Sequence, residues 1–447
     1  MEQVSIITAI FDILTLIIST FFFITNIKKI KNGARYLIWL IIFVLYVFPL
    51  YIDYFYMLPD FPFNCGGFTL SRQDDLTNIL FDLLFLFIQY RLLYKNKEKN
   101  FSNIDTSFRL SSRTRFLLYI GMTFAPLVVL LLIRQPFMLY TFGWRELGVI
   151  SPPRFYDQAE QFCYFSASCA ILLLFEKGRG SIKAIIQKVL AFAFLYISLS
   201  IQGKRAILFF VMICICIMLY YEFVDRLRNK KSWKIFILYL FIVGGTAAFY
   251  MFTISVEVHA ARELASGIGQ NVQKDNNEVI TKQRIDFFRD DRMRMAIYSE
   301  FNSDKIHILD YPGQTILPDI FGMVPINWLR DRIGIGRKSY QTYFTCGLSG
   351  FSSEDKYVLR DSNWMTVTIL AEIVSNCSFF LAFFIIPFLL LKTAGLIDKL
   401  KYPFNILTVF AFTLLNLFDT AYVIVFIEFA ILYYMIIPHQ KHIKRRA

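Results

Sequence analysis

Apolar residues in this chain fall into blocks, and the polar residues gather in the gaps between them. The blocks run roughly over 4–26, 36–57, 76–94, 116–133, 159–175, 184–201, 205–224, 235–254, 364–391, 404–419 and 421–437. Each is close to the length, about 20 residues, that a helix needs to cross a hydrocarbon core. A backbone in lipid has no water to bond, so a block that crosses must be helical. The pattern predicts an all-α polytopic membrane protein with about 11 transmembrane helices. One stretch breaks the rhythm. Residues 255–363 mix Pro, Gly, aromatic and charged positions, and they are far too many for a connector. The predicted organisation is therefore helices one to eight over 1–254, a large loop over 255–363, and helices nine to eleven with a basic tail over 364–447. Aromatic residues in the loop supply apolar surface, which predicts an ordered cap containing short helices rather than disorder.

Composition agrees with the pattern and excludes a soluble chain. Apolar residues make up 56% of the sequence, with 49 Phe, and the mean hydropathy is +0.50. The formal charge of +13 could suggest nucleic acid, but its placement argues for lipid and cytoplasm. Basic residues crowd alternate gaps: Lys28, Lys29, Lys31 and Arg35, then Lys95 to Arg115, Lys177 to Lys183, Arg226 to Lys234, and Lys392 to Lys401. The rule that basic loops stay inside puts the N-terminus outside, the loop 255–363 outside and the C-terminus in the cytoplasm. Met1-Glu2-Gln3 is acidic, and the first block is long, so no cleavable signal peptide is expected. The expected location is the cell inner (plasma) membrane. Seven cysteines are scattered without metal-like spacing. Cys65 and Cys346 both fall in outer segments, which leaves a disulfide between them open. No metal is expected.

Several polar residues could carry chemistry. Gly203-Lys204-Arg205 forms a very short outer turn that holds two cations against the charge rule. They read either as a clamp for a lipid-linked diphosphate or as side chains snorkelling to headgroups. Arg289 and Arg292 are three apart and share one helix face. With Phe287, Phe288 and Met295 as an apolar side, that helix could lie on the membrane and hold an anionic head; a solvated face with local ion pairs is the alternative. His307 and His259 are candidate bases or ordinary loop polarity. Asp12, Asp82, Glu372 and Glu428 lie within predicted spans and Asp419 at a span end; each is a functional group or a helix–helix pair. Glu372 stands out because it closely follows the loop.

Five short segments carry a family resemblance. Gly203-Lys204-Arg205-Ala206 resembles the glycine-arginine turn of bacterial O-antigen and capsule polymerases. Tyr311-Pro312-Gly313-Gln314 followed by Met323-Val324-Pro325-Ile326-Asn327-Trp328-Leu329-Arg330, and then Met365-Thr366-Val367-Thr368 with Ala371-Glu372-Ile373-Val374-Ser375-Asn376, resembles the Wzy-type repeat-unit polymerase pattern. The resemblance implies a GT-C-like glycosyltransferase that needs neither metal, cofactor nor nucleotide sugar. It would join undecaprenyl-diphosphate-linked oligosaccharides into O-antigen or capsular polysaccharide during lipopolysaccharide biosynthesis. Implied partners are those lipid-linked substrates, the bilayer and a chain-length regulator protein, with no nucleic acid. Implied roles are diphosphate binding for Lys204, Arg205, Arg289 and Arg292, catalysis for His307 and Glu372, and substrate contact for Trp328 and Arg330. The alternatives are an O-antigen ligase, which shares the topology, and a lipid-linked oligosaccharide flippase.

Overall fold

The computed structural model describes residues 5–27, 34–55, 74–94, 109–132, 156–176, 182–201, 288–302, 308–316, 340–349, 367–400, 404–417 and 430–434, with 29, 306, 427 and 436. Those residues are helical, with turns and no strand. Four helices are long and apolar enough to cross a membrane: α1 (Ile6–Asn26), α2 (Ala34–Phe55), α3 (Asp75–Tyr94) and Phe379–Ile397. The protein is thus a helical membrane protein. Four further helices, α4 (Ser112–Leu132), α5 (Tyr156–Phe175), α6 (Ile182–Ile201) and Phe404–Leu417, fall on predicted apolar blocks. The predicted blocks 205–224, 235–254 and most of 421–437 lie outside the described residues.

The chain divides into two units. Unit 1 is Met1–Asn103, Asn276–Lys401 and Ala411–Ile424; unit 2 is Ile104–Asp275, Tyr402–Phe410 and Val425–Ala447. Within unit 1, α1 turns the usual arrangement of a soluble helix inside out. Its buried residues are Thr8, Asp12, Thr15, Ser19 and Asn26, while Ile6, Ile10, Ile17, Phe21 and Ile24 are exposed. Spacings of three, four and seven put the polar set on one face. Lipid is as apolar as leucine, so the polar stripe is what binds α1 to its neighbours. Thr8 Oγ1 donates to Asp75 at 2.8 Å, Tyr54 to Asp12 at 2.9 Å, and Gln89 Nε2 to Ser19 at 2.9 Å. Asp12 and Asp82, both within predicted spans, are buried.

Two breaks in helical regularity shape unit 1. Pro49 has no N–H, so the Leu45 carbonyl loses the donor that an α-helix would give it. Here α2 widens into a π segment over Phe43–Val47, with Phe48 N–H reaching back to Phe43 O. The second break falls inside the predicted block 364–391. The structure makes it two helices, α9 (Ile369–Cys377) and α10 (Phe379–Ile397), parted at Ser378 with φ +66°. Hydropathy averages over such a break because both sides are equally apolar. Positive φ in a serine costs conformational energy, which the surrounding contacts must hold in place. Two more helices come from the long loop: α7 (Asp290–Phe301) and α8 (Tyr340–Ser349). Both are short helices within 255–363, most of which lies outside the described residues. In chain order the Phe404–Leu417 helix is α11.

Unit 2 is built on close helix packing. A methyl group on Gly121 of α4 would stand 2.8 Å from Cys169 Sγ of α5, so only glycine lets the two helices approach this far. Ser166 Oγ donates to Gly121 O at 2.7 Å across the same contact. Glu176, at the end of α5, ties three segments together. It accepts from Arg115 Nε at 2.9 Å, Arg115 Nη2 at 2.5 Å, Gln187 Nε2 at 2.8 Å and Leu110 N at 3.1 Å.

Candidate functional site

The segment 308–316 of the long loop docks on α9 through Asn376. Gly313 N–H donates to Asn376 O at 3.0 Å, and Thr315 N–H donates to Asn376 Oδ1 at 3.1 Å. The Asn376 amide donates to Thr315 Oγ1 at 2.9 Å and to Glu372 O at 2.8 Å. Gly313 has φ +83°, a conformation that suits glycine and lets the turn present its N–H. Thr315 Oγ1 in turn donates to Glu372 Oε1 at 3.1 Å. Glu372, Thr315 and Asn376 are all buried.

Helix α8 closes this cluster. Tyr340 Oη is 2.8 Å from Ser375 Oγ and donates to Ala371 O at 3.3 Å. Burial pushes the Tyr340 phenol well above its ordinary range; the Ser375 bond opposes this and the Glu372 charge adds to it. Tyr340 is therefore a neutral donor at any physiological pH. At the other end of α9, the Thr368 side chain caps Leu370 N at 3.3 Å and its hydroxyl meets Tyr46 Oη of the π segment. Tyr46 also reaches Asn416 Oδ1 at 3.4 Å and stacks on Phe85 at 4.7 Å.

Beside α9 stands α7, and its charges are buried. Arg289, Asp290, Asp291, Arg292 and Arg294 are all at most 6% exposed. The structure corrects the picture of an amphipathic helix lying on a membrane or in water. Met295 is buried, but so are the charged residues on the other sides of the helix. Charges can sit there because they meet one another. Arg292 pairs with Asp291, and Arg294 Nη2 is 3.8 Å from Asp82 of α3. The Arg294 guanidinium also bonds Asn78 and lies 4.0 Å over the Phe81 ring. Arg289 gives its backbone N–H to Leu45 O at 3.0 Å, which fills the vacancy that Pro49 leaves. At the far end of α7, Glu300 Oε2 accepts the Phe379 N–H at 2.5 Å and so caps α10.

Of the predicted site residues, the structure brings Glu372, Arg289 and Arg292 into unit 1. Lys204, Arg205, His307, Trp328 and Arg330 lie outside the described residues, as do His259, Glu428, Asp419 and Cys65. Cys346 is buried in α8. Thr315 was missed in the sequence, although it directly follows the quoted Tyr311–Gln314 segment. Asn376 and Thr368 stood in quoted segments without an assigned role. Nothing in the sequence singled out Tyr340 or Tyr46. Among the described residues no group of His, Cys, Asp and Glu is arranged to hold a metal ion. No protein-family model, no curated protein and no solved structure matches the chain.

Proposed function

We propose that this protein is a membrane glycosyltransferase that polymerises lipid-diphosphate-linked oligosaccharide repeat units. The observation that carries the reading is the docking of the loop turn 311–315 onto Glu372 and Asn376. Two of the segments that resemble the polymerase pattern, Tyr311–Gln314 and Ala371–Asn376, are separate in the chain but meet through Gly313 and the adjoining Thr315 in one hydrogen-bonded cluster. In the reaction, a sugar hydroxyl of one repeat unit attacks the anomeric carbon of the chain on a second carrier. A C–O bond forms, the bond to the diphosphate oxygen breaks, and the lipid diphosphate leaves with the electron pair. The hydroxyl proton passes to His307 as base. Lys204 and Arg205 take the diphosphate contact, since cations near a departing diphosphate stabilise its developing charge. Arg289 and Arg292 lie beside Asp290 and Asp291, which neutralise them in part, so any field they add on the diphosphate is weaker. Glu372 is fully buried and serves as a positioning group that orients the docked turn through Thr315. Trp328 and Arg330 lie further along the same loop and take sugar contacts.

The test uses a strain that lacks the protein. Complementation with wild type should restore a ladder of long chains, and Arg205→Ala should leave single-repeat glycolipid. A wild-type ladder from Arg205→Ala removes that residue from the mechanism. A bare surface core in the deletion strain would instead identify a ligase. A flippase is the second reading, favoured by the buried charges of α7 against membrane-length helices. It predicts that repeat units fail to reach the outer face in the deletion strain.

A further inference from the structure

Helix lengths within unit 1 act as a ruler for depth. Ala34 and Asp398 share one level, because the Ala34 N–H donates to the Asp398 carboxylate at 2.7 Å. From that level α2 climbs towards Phe55, and α10 read backwards climbs to Phe379. At about 1.5 Å per residue, Leu45 stands about 16 Å up and Phe379 about 28 Å up. A hydrocarbon core is about 30 Å thick, so Leu45 sits near its middle and Phe379 near its far edge.

Helix α7 is tied to both levels. Its start bonds Leu45 O through Arg289 N–H, and its end bonds Phe379 N–H through Glu300. A helix from 289 to 300 rises about 16 Å, close to the roughly 12 Å between those two levels. Helix α9 gives the same result. It starts where the Thr368 hydroxyl meets Tyr46, next to Leu45, and it ends two residues before Phe379. Its rise of about 14 Å again fills half the core.

We propose that α7 and α9 are re-entrant half-helices, so that the segment 255–363 returns to the middle of the bilayer. On the orientation that the basic gaps give, they fill its outer half. Irregular backbone is tolerated at that depth only where protein surrounds it. The residues leading into the two helices meet this condition, since Arg289, Val367 and Thr368 are buried. Charges at that depth must be compensated. Arg289 and Arg292 are matched in number by Asp290 and Asp291 beside them, and Arg294 meets Asp82. Pro49 supplies the seat, because it frees the Leu45 carbonyl at mid-helix for the incoming Arg289 N–H. This placement holds for a polymerase and for a flippase alike.

Depth can be read directly in the full-length protein in nanodiscs. Phe288 is half-buried, and its ring lies 6.1 Å from Phe48, which is 42% exposed. A bimane fluorophore on Phe288→Cys, and separately on Phe48→Cys, is quenched by lipids with a nitroxide either on the headgroup or deep in the acyl chain. Signal from labelled wild-type chain is subtracted. Over a core of about 30 Å we expect the deep nitroxide to quench both sites at least about twofold more than the headgroup one. Stronger headgroup quenching at Phe288→Cys, with Phe48→Cys deep, would overturn the re-entrant placement. Headgroup quenching at Phe48→Cys would overturn the ruler itself.

Discussion

One interhelical ion pair from each unit can be set side by side, and the two work under different conditions. In unit 1, Arg294 meets Asp82 at 3.8 Å with side chains 7% and 0% exposed. In unit 2, Arg115 meets Glu176 at 2.5 Å with side chains 36% and 5% exposed. The second pair has the shorter contact and more donors, yet water reaches Arg115 and screens it. The first has poorer geometry, but each charge would be costly there without the other. Burial therefore makes the longer contact the one expected to be harder to lose.

The largest expected effect follows from that asymmetry. Arg294→Ala takes away the cation that faces the buried Asp82 carboxylate and should destabilise unit 1 by about 3–5 kcal/mol. Thermal unfolding in detergent checks this, and pairing it with Asp82→Asn should recover most of the loss. If Arg294→Ala unfolds like wild type, depth is not what makes the pair matter. Next comes packing in unit 2. Gly121→Ala drives a methyl into Cys169 and should cost about 1–3 kcal/mol. Cys169→Ala should rescue it by removing the sulfur. Glu176→Gln should cost less, about 1 kcal/mol, because the amide keeps an acceptor and Arg115 stays hydrated.

Acid sharpens the same comparison. Burial works to raise the Glu176 carboxyl, but Arg115, Gln187 and the Leu110 N–H together hold it below the usual glutamate range. A carboxyl depressed by folding stabilises the protein above its unfolded pKa and loses that contribution as pH falls through the folded value. Stability of wild type should therefore drop as pH falls below the ordinary glutamate range, and Glu176→Gln should flatten that slope. An equal slope in both proteins would place the acid sensitivity elsewhere. The smallest effect is local. Ser378→Gly should relieve the strained φ at the α9–α10 junction and raise the unfolding temperature slightly, offset in part by losing the serine side chain near Glu300.

Membrane helices were legible in the sequence because lipid demands long apolar runs, and α1 to α6 lie within a few residues of the predicted blocks. The break at Ser378 was not legible, since both flanks are apolar and the carboxylate that caps α10 comes from α7, far away in sequence. The fate of α7 was misread for a related reason. A run of alternating Arg and Asp ordinarily marks a solvated face, and only the partners Asp82, Asn78 and Leu45 show it to be interior. Glu372 was found from its place after the loop. Its partners Thr315 and Tyr340 come from the loop itself, where no periodic pattern announces a long-range bond.

We have proposed that this chain joins lipid-linked repeat units. Purified protein reconstituted in liposomes with a defined lipid-diphosphate-linked repeat unit tests it most directly. The account predicts a ladder of products, each one repeat longer than the last, with lipid diphosphate released in step and with Arg205→Ala arrested at a single repeat. Intact starting glycolipid after incubation with correctly folded wild-type protein would contradict it.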